Sequence, residues 1–198
     1  MATKKTKNIT QQWNDYFMGL SKSQRRVAIA TDVIESVKKG VYKTGYGYVT
    51  LQRKPTFAGA LYDLDFQSNL DKIAQCHVCA LGGCLVSMVK YIDGATIGEL
   101  DGGGNAHQWE RLNDYFSARQ MALIEGVYER WTTTLGIRSG ERQGVAGHEF
   151  KYHLTKGDMH ILNTSEKLKL FPNDKEQRLK KIMENIVRND GRFEPLQG

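Results

Sequence analysis

Residues 75–85 read Gln75-Cys76-His77-Val78-Cys79-Ala80-Leu81-Gly82-Gly83-Cys84-Leu85. All three cysteines of the chain lie here, with a histidine beside the first. The apolar and small positions Ile73, Cys76/His77, Ala80, Cys84/Leu85, Met88 and Tyr91 keep helical spacing. A helix is therefore expected over Asp65–Tyr91, with a break near Gln67–Asn69. A glycine inside a helix costs about 1 kcal/mol relative to alanine. The pair Gly82-Gly83 thus implies either a break or very close packing. Ala80, Gly82, Gly83, Cys84 and Ser87 would form a small-residue face, with the cysteines acting as small buried hydrophobes.

Outward from this segment, the pattern stays mainly helical. Trp13, Tyr16, Phe17 and Leu20 fall at i, i+3, i+4 and i+7, one face of a short amphipathic helix. Ser21 and Gln24 match a capping box. The helix it opens carries Val27, Ala30, Val33, Ile34 and Val37 and ends at Lys38, Lys39 and Gly40, where glycine takes the left-handed conformation most easily. Val41, Tyr42, Tyr46, Tyr48, Val49 and Leu51 are strand formers spaced by Gly45 and Gly47, and they predict a hairpin ended by Pro55 and Gly59.

Beyond Tyr91 come a glycine-rich loop and a helix from about Asn105 to Thr134, with Trp109, Leu112, Phe116, Leu123, Val127 and Trp131 on its stripe. Residues 136–165 are punctuated by Gly140, Gly144, Gly147 and Gly157, with one strand expected at Glu149–Leu154. A last helix carries Leu179, Ile182, Met183, Ile186 and Val187. The expected fold is mainly α (α+β), a compact domain of four to five helices with a small β-hairpin. Residues 1–9 read as a disordered basic tail, 10–190 as one globular domain and 191–198 as a C-terminal tail.

Composition narrows the function classes. The 198 residues are 40% hydrophobic and 25% charged, an ordinary globular mix. No apolar run approaches the roughly 18–20 residues of a membrane span, so no membrane partner is expected. The charged start Met1–Lys7 has no apolar segment behind it, which argues against a secretory signal. Three clustered cysteines argue against a disulfide framework and for a reducing, cytoplasmic compartment. The net charge of +6 permits nucleic acid or acidic partners. The positive residues are scattered over Lys22, Arg25 and Arg26, over Lys38, Lys39 and Lys43, and over Lys175, Arg178, Lys180 and Lys181, a distribution of solvated helix faces.

Three chemistries compete for the cysteine segment. Cys76-x-x-Cys79 is half of a zinc knuckle, with His77 beside it. Cys84, His107, His148, His153 and His160 are the remaining ligand types, and no second CxxC exists. On one helix Cys79 lies about 60° back from Cys76 and Cys84 about 80° the other way, so one ion does not reach all three. For nucleophilic chemistry, a cysteine at a helix N-terminus gains thiolate character from the free N–H groups. Cys76 or Cys79 would then work with His148 or His153 as a thiol hydrolase. The third reading is the packing helix.

Weaker signals lie elsewhere. Gly102, Gly103, Gly104 and Asn105, with Asp101 before them, could hold an anion on backbone N–H groups, and His148 is a further ligand candidate. The lysine and hydroxyl of a P-loop are missing, and no cofactor fingerprint is complete, so no cofactor is expected. Glu125 and Glu129, one turn apart, read as a solvent-face pair.

Three resemblances attach to these residues. Cys79 to Gly94, with Met88, Tyr91 and Gly94, is similar to the nucleophile helix of C39-type, papain-like peptidases, which implies a later histidine. The glycine that follows the cysteine in that family is absent here, and the spacing differs by one residue. His153-Leu154-Thr155 resembles one His-x-Thr of the two-histidine phosphoesterases, whose mechanism needs two. Arg26–Ile34 with Gly40-Val41-Tyr42, together with Cys76–Gly83, resembles small accessory proteins of tailed bacteriophages. That resemblance implies no catalytic residue. It implies a binding role towards a host protein or a small anionic ligand, such as inhibition of a host defence system. The expectation is a non-enzymatic binding protein. A thiol hydrolase and a nucleic-acid-binding protein are the alternatives.

Overall fold

The segment at 75–85 divides between a strand and a helix. The computed structural model describes residues 9–45, 48–57, 59–92, 94–101, 106–130, 142–144 and 151–198. Three short strands form one sheet in the order β1-β3-β2: β1 (Tyr42–Thr44), β2 (Val49–Arg53) and β3 (Ile73–Val78). β1 runs parallel to β3, with Lys43 opposite His77, and β2 runs antiparallel, with Thr50 opposite His77. Of the strand formers, Tyr42, Val49 and Leu51 do lie on strands, but these flank β3 instead of pairing as a hairpin, and Tyr46 lies outside the described residues. The expected helix over 73–78 is a strand because pairing on both sides supplies its backbone partners. Ile73 and Val78 are β-branched, and such residues fit a pleated surface.

Cys79 ends the strand and caps the helix that follows, α3 (Ala80–Tyr91). Its backbone is extended and its Sγ accepts a hydrogen bond from the Gly82 amide at 3.3 Å. Ala80 through Val89 are all buried, so α3 is the axis of the core. The two glycines play different parts. A Cβ on Gly82 would lie 1.6 Å from the Tyr48 carbonyl oxygen, whereas one on Gly83 would meet Val33 at an ordinary 3.4 Å. Gly82 is thus where the chain leading into β2 touches the helix backbone. The small-residue packing reading of this segment holds for its helical half.

The other helices surround α3. They are α1 (Ile9–Gly19), α2 (Lys22–Lys38), α4 (Ile97–Leu100), α5 (Ala106–Asn113), α6 (Ala118–Glu129), α7 (Lys156–Lys167) and α8 (Lys175–Arg188). The Ser21/Gln24 capping box of α2 forms, and Gly40 takes a positive φ of 69°. α8 buries Leu179, Ile182, Met183 and Ile186, the stripe read from its spacing. The helix expected over 105–134 is interrupted after Asn113. Phe116 turns into the core, and Ser117 caps a new helix through the Gln120 amide. A second antiparallel pair joins β4 (Arg142–Gly144) to β5 (Lys151–His153). α7 arises in the glycine-punctuated stretch, opened by a capping box of Thr155 and Asp158. The result is a mainly helical α+β domain with small β elements.

Residues 191–198 are not a tail. Phe193 is buried and stands 5.8 Å from Phe171, ring to ring. Asn185 clamps Glu194 by two hydrogen bonds, of 2.9 and 3.0 Å, between its amide and that residue's backbone. Among the described residues, no helix is long and apolar enough to cross a membrane.

Candidate functional site

Alternation along β3 sends its side chains to opposite faces. Cys76 and Val78 turn into the core with Tyr42 and Val49, and Gln75 and His77 lie on the outer face with Lys43, Thr50 and Gln52. Over that outer face lies an open cleft lined by Thr44, Gly45, Thr50, Gln52, His77 and Lys175. Gly45 makes room for the imidazole: a Cβ there would fall 2.9 Å from the His77 Cβ. Lys175, the first residue of α8, brings an ammonium to the rim. It pairs with Glu129 at 3.4 Å and lies 5.4 Å from the centre of the Tyr128 ring.

Beside Lys175, at the junction of β3 and α3, sits a buried polar cell. It comprises Cys79 together with Glu125 and Tyr128, one turn apart on α6. Glu125 is only 5% exposed and Tyr128 fully buried. Burial first, and then Glu129, pushes the Glu125 carboxyl up to about 7, against the pull of a hydrogen bond from Tyr48. Burial also raises Tyr128, with Cys79 adding to the effect. Among the described residues, four buried side-chain polar atoms have no hydrogen-bond partner. Two of them belong here, Glu125 Oε2 and the Tyr128 hydroxyl, and a third, His77 Nε2, belongs to the cleft. Buried polar groups normally find partners, so these two atoms are exceptions within the described core.

The thiols are not set up for attack. Cys79 does stand at a helix N-terminus, and the Gly82 and Leu81 amides do favour its thiolate. Burial, and next Glu125, nevertheless raise it well above the ordinary thiol value. Cys76 is pushed up to about 12 by burial, only partly offset by Lys90. Cys84 is likewise raised to about 12 by burial, its Sγ 3.9 Å from Met183 Sδ in the core. Burial thus works against the thiolate form at both Cys76 and Cys79, the form a nucleophile requires.

The described metal candidates do not converge. Cys76 and His77 are adjacent on a strand and face opposite sides of the sheet. Among the described residues no group of three His, Cys, Asp or Glu side chains converges on one point. Gly102, Gly103, Gly104, Asn105 and His148 lie outside the described residues. His153 sits on β5, away from the cysteines in sequence, and its side chain is outside the described set. His160 is exposed on α7.

Several basic residues are consumed within the fold. Arg25 donates to the Phe17 and Met18 carbonyls, and Arg26 to those of Gly191 and Tyr115. Arg178 caps Pro172, Tyr128 and Asn173. These arginines tie chain ends together and are not arrayed as a phosphate-binding stripe.

Sequence reasoning placed Glu125 on a solvent face, and the structure buries it. The signal was available in Met121-Ala122-Leu123-Ile124-Glu125-Gly126-Val127-Tyr128, where one carboxylate interrupts an otherwise apolar and small run. An ionisable residue in such a run has no polar face to occupy. Comparison with protein-family models, curated proteins and solved structures gives no match for the chain.

Proposed function

We propose that the chain is a non-enzymatic binding protein, of the accessory type its phage-like segments imply, whose ligand is a small anion held in the cleft over the outer sheet face. One observation carries this reading. His77 carries an unpartnered Nε2 and lines a cleft together with Thr44, Thr50, Gln52 and Lys175. The hydroxyls, the amide and the imidazole of these residues can each donate a hydrogen bond, and donors near a cation suit an oxyanion. Lys43, opposite His77 on β1, adds a second positive charge beside it.

A thermal-shift series with inorganic phosphate, sulfate and short carboxylates tests it. Phosphate or a carboxylate should raise the melting temperature in a saturable way, and His77→Ala with Lys175→Ala should abolish the rise. No saturable shift with any of these anions would end the reading.

The thiol-hydrolase alternative makes the opposite demand on the cysteines. Iodoacetamide at pH 7.5 should leave all three unlabelled in the native protein and label all three in 6 M guanidinium. Rapid labelling of native Cys79 would restore the enzyme reading.

A further inference from the structure

Alternation along β2 gives its residues to two different clefts. Thr50 and Gln52 line the anion cleft, and Leu51 and Arg53 line a second one. The second cleft has a volume of about 350 Å³. Small-molecule sites run from roughly 300 to 1,000 Å³. Its apolar wall is Leu51, Leu61, Tyr62 and Ile97, and its charged groups are Arg53 and Asp101.

Backbone bonds hold that wall in place. The Gly98 amide donates to the Tyr62 carbonyl at 2.9 Å, and the Ile97 amide to the Leu64 carbonyl at 2.8 Å. The Tyr62 ring lies so close to Gly98 that a Cβ there would fall 2.4 Å from it. Tyr62 is nevertheless 64% exposed, the most exposed large hydrophobic residue among those described. Asp101 is tied down twice: its amide donates to the Ile97 carbonyl at 3.0 Å, and its Oδ1 accepts from the Leu51 amide at 2.9 Å. Oδ2 is the oxygen left without a hydrogen bond among the described residues. Arg53 is exposed and forms no ion pair among the described residues. It stands two residues beyond Leu51, about 7 Å along the strand. An anionic and a cationic group thus stand apart on one apolar cleft.

We propose that this cleft binds a free amino acid with an apolar side chain. The ligand's ammonium meets Asp101, its carboxylate meets Arg53, and its side chain lies on Leu51, Leu61, Tyr62 and Ile97. Each charge of the ligand finds its opposite, and the apolar part covers surface that water now wets. A simple carboxylate would use Arg53 alone, and a simple amine Asp101 alone. One end of a peptide likewise offers a single charge. The inference stands on a different cavity from the anion reading and does not depend on it.

Calorimetric titration with leucine, valine, methionine and phenylalanine tests it. At least one should bind saturably. Serine supplies both charges without the apolar side chain. For leucine, 4-methylpentanoate lacks the amine and 3-methylbutylamine lacks the carboxylate. Serine and the one-charge analogues of the best binder should each bind about tenfold or more weaker than it does. Arg53→Gln and Asp101→Asn should each cost about tenfold or more. Asp101→Asn keeps an oxygen for the Leu51 amide, so the wall stays in place. Lys175→Ala, in the anion cleft, should change nothing.

No saturable binding by any of the four amino acids would overturn the inference, and a phosphate response alongside that silence would leave the anion cleft standing. One-charge analogues that bind as well as the amino acid would overturn it too, as would affinity that survives both substitutions. Sedimentation at two protein concentrations reads the competing occupant, a second copy of the chain. A dimer that Tyr62→Ala dissolves would assign the cleft to that copy and end the proposal.

Discussion

Two polar clusters lean on α3, one towards its C-terminal half and one at its N-terminus. In the first, Asp32 Oδ2 accepts from Ser87 at 2.6 Å and from Lys90 at 2.8 Å. Lys90 also donates to Ser36 at 2.9 Å, and Ser87 joins the Tyr42 hydroxyl at 3.1 Å. Every member has a partner, and the network fastens α2 and β1 to α3. In the second, Glu125 Oε2 and the Tyr128 hydroxyl have none. The packing is similarly tight in both, and Tyr42 and Tyr128 are both fully buried. The difference lies in completeness. A closed network holds the fold together, while an open one leaves its desolvation cost uncompensated.

The sharpest way to break the comparison is to open the closed network. Asp32→Ala removes the acceptor of Lys90, whose side chain is only 14% exposed. Stranding a charge of this kind should cost about 3 kcal/mol, read from urea unfolding. A loss below about 1 kcal/mol would show that the network does not fasten the helices.

Glu125 should show itself through pH. Its carboxyl is near 7 in the folded chain and near 4.5 when exposed. Between those values the folded state keeps a proton that the unfolded chain has released. The contribution is therefore full below about pH 4.5 and is lost as pH rises through 7. The loss amounts to about 3 kcal/mol. Glu125→Gln should remove this slope from a plot of unfolding free energy against pH. An unchanged slope would mean that Glu125 titrates normally.

The smallest effects come from a matched pair. Tyr42→Phe deletes a bonded hydroxyl and should cost about 1 kcal/mol or somewhat more. Tyr128→Phe deletes an unbonded one and should be neutral within about 0.5 kcal/mol. Equal costs would erase the distinction between the clusters.

Much of the helical frame was legible in the residues. The Ser21–Gln24 box, the glycine at position 40 and the stripe of α8 are local signals with local causes, and each forms as read. β3 was misread because the spacing of Ile73, Cys76 and Ala80 imitates a helix. Its true partners, Tyr42 and Leu51, are distant in the chain. Gly157 obscured α7, although Thr155 and Asp158 form the capping box that opens it. Phe193 looked like part of a tail because its contact with Phe171 spans more than twenty residues.

The site was legible in composition but not in arrangement. His77 attracted notice for its cysteine neighbours, yet the strand turns it away from Cys76 and towards Thr50 and Lys175. Glu125 was visible, but its burial depends on α6 packing against α3, which periodicity alone does not reveal.

The enclosure of α3 on every side has a practical consequence. Its amides from Gly83 to Val89 have no path to solvent by local fraying, so their hydrogen exchange waits for the whole domain to open. They therefore form an internal gauge of global stability. A ligand at a hundredfold excess over its Kd should slow that exchange by about two orders of magnitude, wherever on the folded surface it binds.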